Sequence, residues 1–213
     1  LELFKMFLKL KRKIKPVFHF FFIEKFPNPG DWFVSRLRYS RHTATNSIVG
    51  HILGIGDRHL SNIMIDQVTG EIVHIDLGVA FDQGKALPIP ENVPFRLTNE
   101  IVDGMGWMGK EGVFRKTCEE SMAVLRNDQE YLLTVLNVFL SDPLYRWNMG
   151  PMNALSDKKN RFAESVIMNC KRKLEGRETG EKLSVEGQIT RLINDATNDE
   201  YLAMMYIGWR AFL

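Results

Sequence analysis

Gly54-Ile55-Gly56-Asp57-Arg58-His59-Leu60-Ser61-Asn62, then Ile63-Met64-Ile65, then Ile72-Val73-His74-Ile75-Asp76-Leu77-Gly78: the reading of this stretch decides the fold. The two apolar runs flank the polar segment Gln67-Val68-Thr69-Gly70, which is the signature of a β-hairpin. One strand is entered from Asp57 to Asn62 and the other exits into Asp76. Two carboxylates and an amide therefore reach one end of a small ribbon. Such a set suits a divalent metal and a phosphate.

Outward from the hairpin, the pattern is helical. Residues 1 to about 26 read as helix interrupted by Pro16, and Pro27-Asn28-Pro29-Gly30 as a turn. Asp31 is the expected N-cap of a long helix, Trp32 to Leu53, with Phe33, Leu37, Ala44, Ile48 and Ile52 on its apolar face. Residues 79–97 carry three prolines and no period, so they read as a long loop of the functional kind. Further helices are expected from Thr98, over Glu111–Leu125, Gln129–Leu140 and Arg161–Leu174, and from Ser184 to Ala196. Residues 145–160 read as irregular, and Gly176 to Gly180 as a polar linker. Gly104-Met105-Gly106-Trp107-Met108-Gly109 matches G-x-G-x-x-G but follows no strand, so it reads as a break between helices.

Composition narrows the classes. A net charge of +2 gives no argument for nucleic acid, and the basic run Lys9 to Lys15 reads as a solvated helix face or a docking patch. Cys118 and Cys170 stand far apart without metal-ligand spacing, as in a reducing interior. The apolar run Val17 to Ile23 is too short to span a bilayer and has no cleavage site for a signal peptide. The chain opens on Leu1 and reads as a piece of a longer polypeptide.

Protein kinases use Asp-x-x-x-x-Asn, then a hairpin, then Asp-Phe-Gly. Asp57, Asn62 and Asp76-Leu77-Gly78 have that spacing, but the order Asp57-Arg58-His59 inverts the usual His-Arg-Asp. In this the chain resembles the phosphatidylinositol-3-kinase-related protein kinases and their lipid-kinase relatives. Pro94-Phe95-Arg96-Leu97-Thr98 is similar to the end of that family's activation segment, and Gly208 to Leu213 to the end of its FATC segment. His74 to Lys85 and Ile101 to Gly106 resemble most the ATM (ataxia-telangiectasia mutated) branch, fungal telomere-maintenance orthologues included.

The resemblance implies a mainly α fold with a small antiparallel hairpin: a PI3/PI4-kinase-type C-lobe followed by a helical FATC segment. Residues 1–144 would be the C-lobe, with a catalytic loop at 54–62 and an activation segment at 76–98. Residues 145–180 would be a regulatory region and linker, missing residues near the Leu155-Ser156-Asp157-Lys158 junction, and 181–213 the FATC segment. Asp57 would take the acceptor hydroxyl proton. His59 would stabilise charge near the transferring phosphoryl group, or else be an ordinary loop histidine. Asn62 and Asp76 would hold magnesium, with manganese as an alternative ion, on ATP. His74, between Val73 and Ile75, reads as a strand residue, and Arg58 as a binder of the activation segment or of a backbone carbonyl.

Implied substrates are proteins with Ser or Thr followed by Gln. Implied partners are a DNA double-strand-break sensor complex and a second copy, joined through parts outside this chain. The implied location is the nucleus, at chromosomes and telomeres, in break signalling, and no direct membrane binding is expected. Nothing before Asp57 resembles a phosphate-covering glycine loop or a strand lysine, so this piece alone should be inactive.

Two other functions remain. A phosphoinositide kinase would need a basic activation segment, whereas between Asp76 and Thr98 stand only Lys85 and Arg96 against Asp82 and Glu91. A scaffold that has lost its chemistry would not need Asp57, Asn62 and Asp76 intact. The apolar tail from Tyr206 to Leu213 reads as packing on the lobe near the activation segment, with membrane insertion or a partner as the other readings.

Overall fold

A computed structural model describes residues 2–141 and 158–213. It divides into two compact units, Leu1–Ser121 with Glu186–Leu213, and Met122–Val185. Most of the site lies on the first, whose elements begin with α1 (Glu2–Lys13), α2 (His19–Lys25) and α3 (Pro29–Leu53). A single antiparallel pair follows, β1 (Ile63–Ile65) and β2 (Ile72–His74), in the register Ile63↔His74, Met64↔Val73, Ile65↔Ile72. Then come α4 (Asn99–Gly104) and α5 (Val113–Asn127), and after the second unit α8 (Val185–Ala196) and α9 (Asp199–Ala203).

The long helix α3 is the spine of this unit. It starts three residues before the expected Trp32, because Asn28 rather than Asp31 is the N-cap. The Asn28 side chain accepts from the Gly30 N–H, and Pro29 occupies the first helical turn, where its missing donor is harmless. Asp31 sits inside that first turn, where a carboxylate favours the positive end of the helix dipole.

The buried face of α3 also differs from the apolar period. Ala44, Ile48 and Ile52 are buried as expected, but Phe33 is exposed, and Ser35, Tyr39, Ser40, Thr43 and Ser47 are buried as well. The hydroxyls of Ser40, Thr43 and Ser47 donate to the carbonyls of Arg36, Tyr39 and Thr43, four residues back, at 3.0, 2.7 and 2.7 Å. Satisfied within their own helix, these short side chains enter the core without an unpaired donor. Against that face lie the rings of Phe18 and Phe22, 5.5 and 5.2 Å from the fully buried Tyr39, whose hydroxyl donates to the Ile101 carbonyl. Burial raises the Tyr39 pKa far above the usual phenol range.

The chain's end closes the other side of the unit. Phe7 of α1, Leu202, Ala203, Met205, Trp209 and Ala211 form one buried cluster. Lys11 pairs with Asp199 of α9, so the basic run is partly an intramolecular docking surface rather than wholly solvated. The tail packs on the lobe, as one of the readings of its apolar composition had it.

In the second unit α6 (Gln129–Ser141) and α7 (Lys158–Glu175) pack together. The start of α7 at Lys158 replaces the expected irregular run over its last three residues, and the rest of 145–160 lies outside the described residues. Gly176, at φ 70°, ends α7 and opens the expected linker. Among the described residues no helix is long and apolar enough to cross a membrane.

Candidate active site

The site is set by how α3 ends. Gly54, left-handed at φ 61°, caps the helix, and a Cβ there would lie 2.3 Å from the Asp82 backbone nitrogen. Only glycine admits both the conformation and the approach. The loop after Asp76 then runs back along this turn. Gly56 N–H donates to Val79 O, Phe81 N–H to Leu53 O and Asp82 N–H to Gly54 O, at 2.9, 2.9 and 3.0 Å.

From this anchor the chain enters Asp57, itself left-handed at φ 57°. The Asn62 side-chain amide donates to the Asp57 carbonyl at 2.8 Å, which leaves its oxygen as the remaining coordinating end. The Asn62 carbonyl accepts from Ile75 N–H at 3.0 Å and so extends the hairpin by one rung, delivering Asp76 beside it. Asp76 is exposed and left-handed at φ 52°, with one carboxylate oxygen accepting from Gly78 N–H at 3.3 Å. Two aspartates in a sparsely populated backbone region, both among the expected site residues, mark strain of the kind that clusters at functional sites.

His59 Nε2 lies 3.9 Å from the Asp57 carboxylate, and its Nδ1 accepts from the Ser61 N–H at 3.2 Å. That acceptor role places the proton of the neutral ring on Nε2, facing Asp57. All four expected residues thus surround one end of the hairpin.

Arg58 binds the backbone that holds them. Its buried guanidinium donates to the carbonyls of Gly56 at 2.8 Å, Ile75 at 2.8 Å, Asn62 at 3.5 Å and also Asp76. Burial lowers the Arg58 pKa, while Asp57, Asp76 and Glu91 favour its charge. His74, half-buried on β2, is held neutral: burial first, then Arg58, push its pKa down to about 4. The glycine-rich 104–109 run ends α4 and enters a 3-10 turn at Gly109–Glu111, with no strand before it.

Two residues of the site escaped the sequence reading. Glu91 accepts from the Asp57 N–H with both carboxylate oxygens, at 2.9 and 2.8 Å. Arg96 donates to Trp209 O at 2.6 Å, Arg210 O at 3.0 Å and Arg58 O at 3.4 Å, with its guanidinium 4.2 Å over the Trp209 ring. Both stood in the sequence only as charges of the loop, because their partners are 34 and 113 residues away.

The donor set fits a nucleotide-borne divalent ion. Among the described residues no group of three or more His, Cys, Asp or Glu could hold a metal by itself. One carboxylate and one amide oxygen, Asp76 and Asn62, would leave most of such an ion's ligand positions to phosphate and water.

The chain as a whole matches known proteins in sequence and fold. The profile of the phosphatidylinositol 3- and 4-kinases matches residues 2–149, and that of the FATC domain residues 182–213. The chain belongs to the phosphatidylinositol 3- and 4-kinase family and carries a FATC domain after it. Among its relatives is the serine/threonine-protein kinase ATM of Arabidopsis thaliana, 48% identical over 98% of this chain and 6% of that protein. The serine/threonine-protein kinase TEL1 of Saccharomyces cerevisiae is 45% identical over 99% of this chain and 8% of its own length. The solved FAT and kinase domain of CtTel1 covers the whole chain with a TM-score of 0.89 at 44% identity, the chain spanning 15% of it. These relatives agree with the branch to which the sequence pointed. The chain spans only 6 to 8% of the length of the curated relatives.

Proposed function

We propose that this chain is the large lobe and FATC segment of an ATM/TEL1-type protein kinase that transfers the γ-phosphate of ATP to Ser or Thr. Residues 1–144 serve as the C-lobe, 145–180 as regulatory region and linker, and 181–213 as the FATC segment. The observation that carries the reading is the convergence of Asp57, Asn62 and Asp76 at one end of the hairpin, tied together by Arg58.

In this reading Asp57 orients the acceptor hydroxyl and takes its proton as the oxygen attacks the γ-phosphorus and the bond to the β,γ-bridging oxygen breaks, releasing ADP. His59, with its Nε2 proton turned toward Asp57, stabilises negative charge on the transferring group. Asn62 and Asp76 hold magnesium or manganese. Such an ion, when bound, would supply charge to offset that of the phosphate oxygens, and the task of these residues is to position the reactants.

A protein acceptor is favoured over a phosphoinositide headgroup. Of the two cations between Asp76 and Thr98, Arg96 is buried on the tail and Lys85 pairs with Asp82 at 3.1 Å. That leaves a single exposed lysine, already beside a carboxylate, against a multiply charged headgroup. The acceptor is Ser or Thr followed by Gln, in the nucleus at chromosome breaks and telomeres. There a break-sensor complex recruits the protein and a second copy completes a homodimer, as in the C2-symmetric CtTel1 dimer. These roles rest on the kinship with ATM and TEL1.

The test is phosphate transfer from magnesium-ATP by the full-length protein to a Ser-Gln peptide, its Ser-Ala twin and phosphatidylinositol vesicles, with Asp76→Ala as control. Transfer to Ser-Gln alone, abolished in the control, is the expected result. Transfer to lipid would assign the sister activity, and none from folded protein would mark a scaffold.

A further inference from the structure

We propose that Glu91 is a positioning residue for the catalytic loop: from the far end of the loop after Asp76, its carboxylate clamps the Asp57 backbone in the conformation that aims Asp57 at the acceptor. The proposal rests on the role given to Asp57 above.

The geometry is that of a built clamp. Both Glu91 oxygens converge on one donor, the Asp57 N–H. The carboxylate lies in a cradle cleared by two glycines: a Cβ on Gly56 would meet its Oε2 at 2.4 Å, and one on Gly84 at 2.5 Å. The backbone of Glu91 is fixed on the same wall, its N–H donating to Gly84 O at 3.1 Å. Ile55, Phe95 and Trp209 help to close the small enclosure around it.

Asp57 needs such a clamp. At φ 57° Asp57 holds a left-handed conformation that residues with side chains seldom adopt, and such strain persists only where the surroundings hold it in place. The next residue's guanidinium fixes the carbonyl side of Gly56, while Glu91 fixes the N–H of Asp57 itself. Burial first, and then the neighbouring Asp57 carboxylate, raise the Glu91 pKa on balance, with the Asp57 N–H, Arg58 and Trp209 opposing that shift. A group needed only to fill this space would not require a charge there. A charged acceptor grips an N–H about twice as strongly as a neutral one. The clamp also makes the catalytic loop depend on the seating of residues 79–91, since Glu91 reaches Asp57 only when they lie along the end of α3.

The experiment compares Glu91→Ala and Glu91→Gln with the wild type, in the full-length protein. Hydrogen exchange of the segment 54–62 should accelerate by about tenfold or more in Glu91→Ala, as local opening no longer has to break the clamp. For phosphate transfer, kcat should fall by about 10- to 100-fold while KM for ATP and for peptide stays within about twofold, the signature of misplaced rather than missing groups. Glu91→Gln should keep the thermal midpoint and lose less kcat than Glu91→Ala. Adding Asp57→Asn to Glu91→Ala should lower kcat by no more than about threefold beyond Asp57→Asn alone, because the two act as a unit. Unchanged exchange at 54–62 overturns the proposal whatever the transfer assay gives, and so does a fully multiplicative double variant. A wild type that exchanges as expected but transfers nothing would instead refute the kinase reading and leave the clamp standing.

Discussion

Replacing Arg96 by alanine should release the FATC tail from the lobe. Its guanidinium joins three carbonyls, two in the tail and one in the catalytic loop, and lies over Trp209. Hydrogen bonds from a charged donor contribute about 1.5–3 kcal/mol each, and the stacked cation about 1 kcal/mol more. Taking the weak 3.4 Å bond as nothing, the gain is roughly 4–7 kcal/mol. Against this stands the burial of the charge, which lowers the Arg96 pKa from 12.5 to about 10 and costs roughly 3 kcal/mol at neutral pH. The net is about 1–4 kcal/mol, a shift of about 5- to 1000-fold in the equilibrium between docked and released tail. Hydrogen exchange over residues 205–213 of the full-length protein reads this directly, with α3 as internal reference. Lysine at 96 should rescue little, since an ammonium cannot fork between Trp209 O and Arg210 O while stacking on the indole. Tail exchange within about twofold of wild type in Arg96→Ala, or full rescue by lysine, would refute this account.

Gly56→Ala should lower kcat by about 10- to 100-fold in the transfer assay, because its Cβ would fall 2.4 Å from Glu91 Oε2 and 3.2 Å from the Gly84 Cα. Tyr39→Phe should destabilise by about 1–2 kcal/mol in urea unfolding, leaving the Ile101 carbonyl without its donor inside the core. The His74 pKa is depressed to about 4, so the unfolded chain binds more protons between about pH 6.5 and 4. Its contribution to stability is therefore present above pH 6.5 and lost as pH falls toward 4. His74→Phe should flatten the stability profile across that window, and a profile unchanged by the substitution would contradict the assignment.

The legibility of the fold followed the range of the forces involved. The hairpin and the ends of most helices depend on neighbours within a few residues, and they are legible in the sequence to within about three residues. The N-cap of α3 was misplaced because Asn28 and Asp31 are both good caps, and Pro29 at the first helical position decides between them. Part of that helix's buried face lies outside the apolar period for another reason. An apolar period cannot register Ser40, Thr43 and Ser47, whose hydroxyls turn apolar in effect once bonded to their own backbone.

What the sequence by itself determined was a placement: Asp57, His59, Asn62 and Asp76 are ordered by one loop and one hairpin, so their spacing already brings them together. Only the tertiary structure decided how that placement is held. Glu91 reaches Asp57 across 34 residues and Arg96 reaches Trp209 across 113, and no local pattern encodes such pairs. A buried charge is tolerated only where distant backbone groups have been folded around it, so its partners exist only once the core has formed.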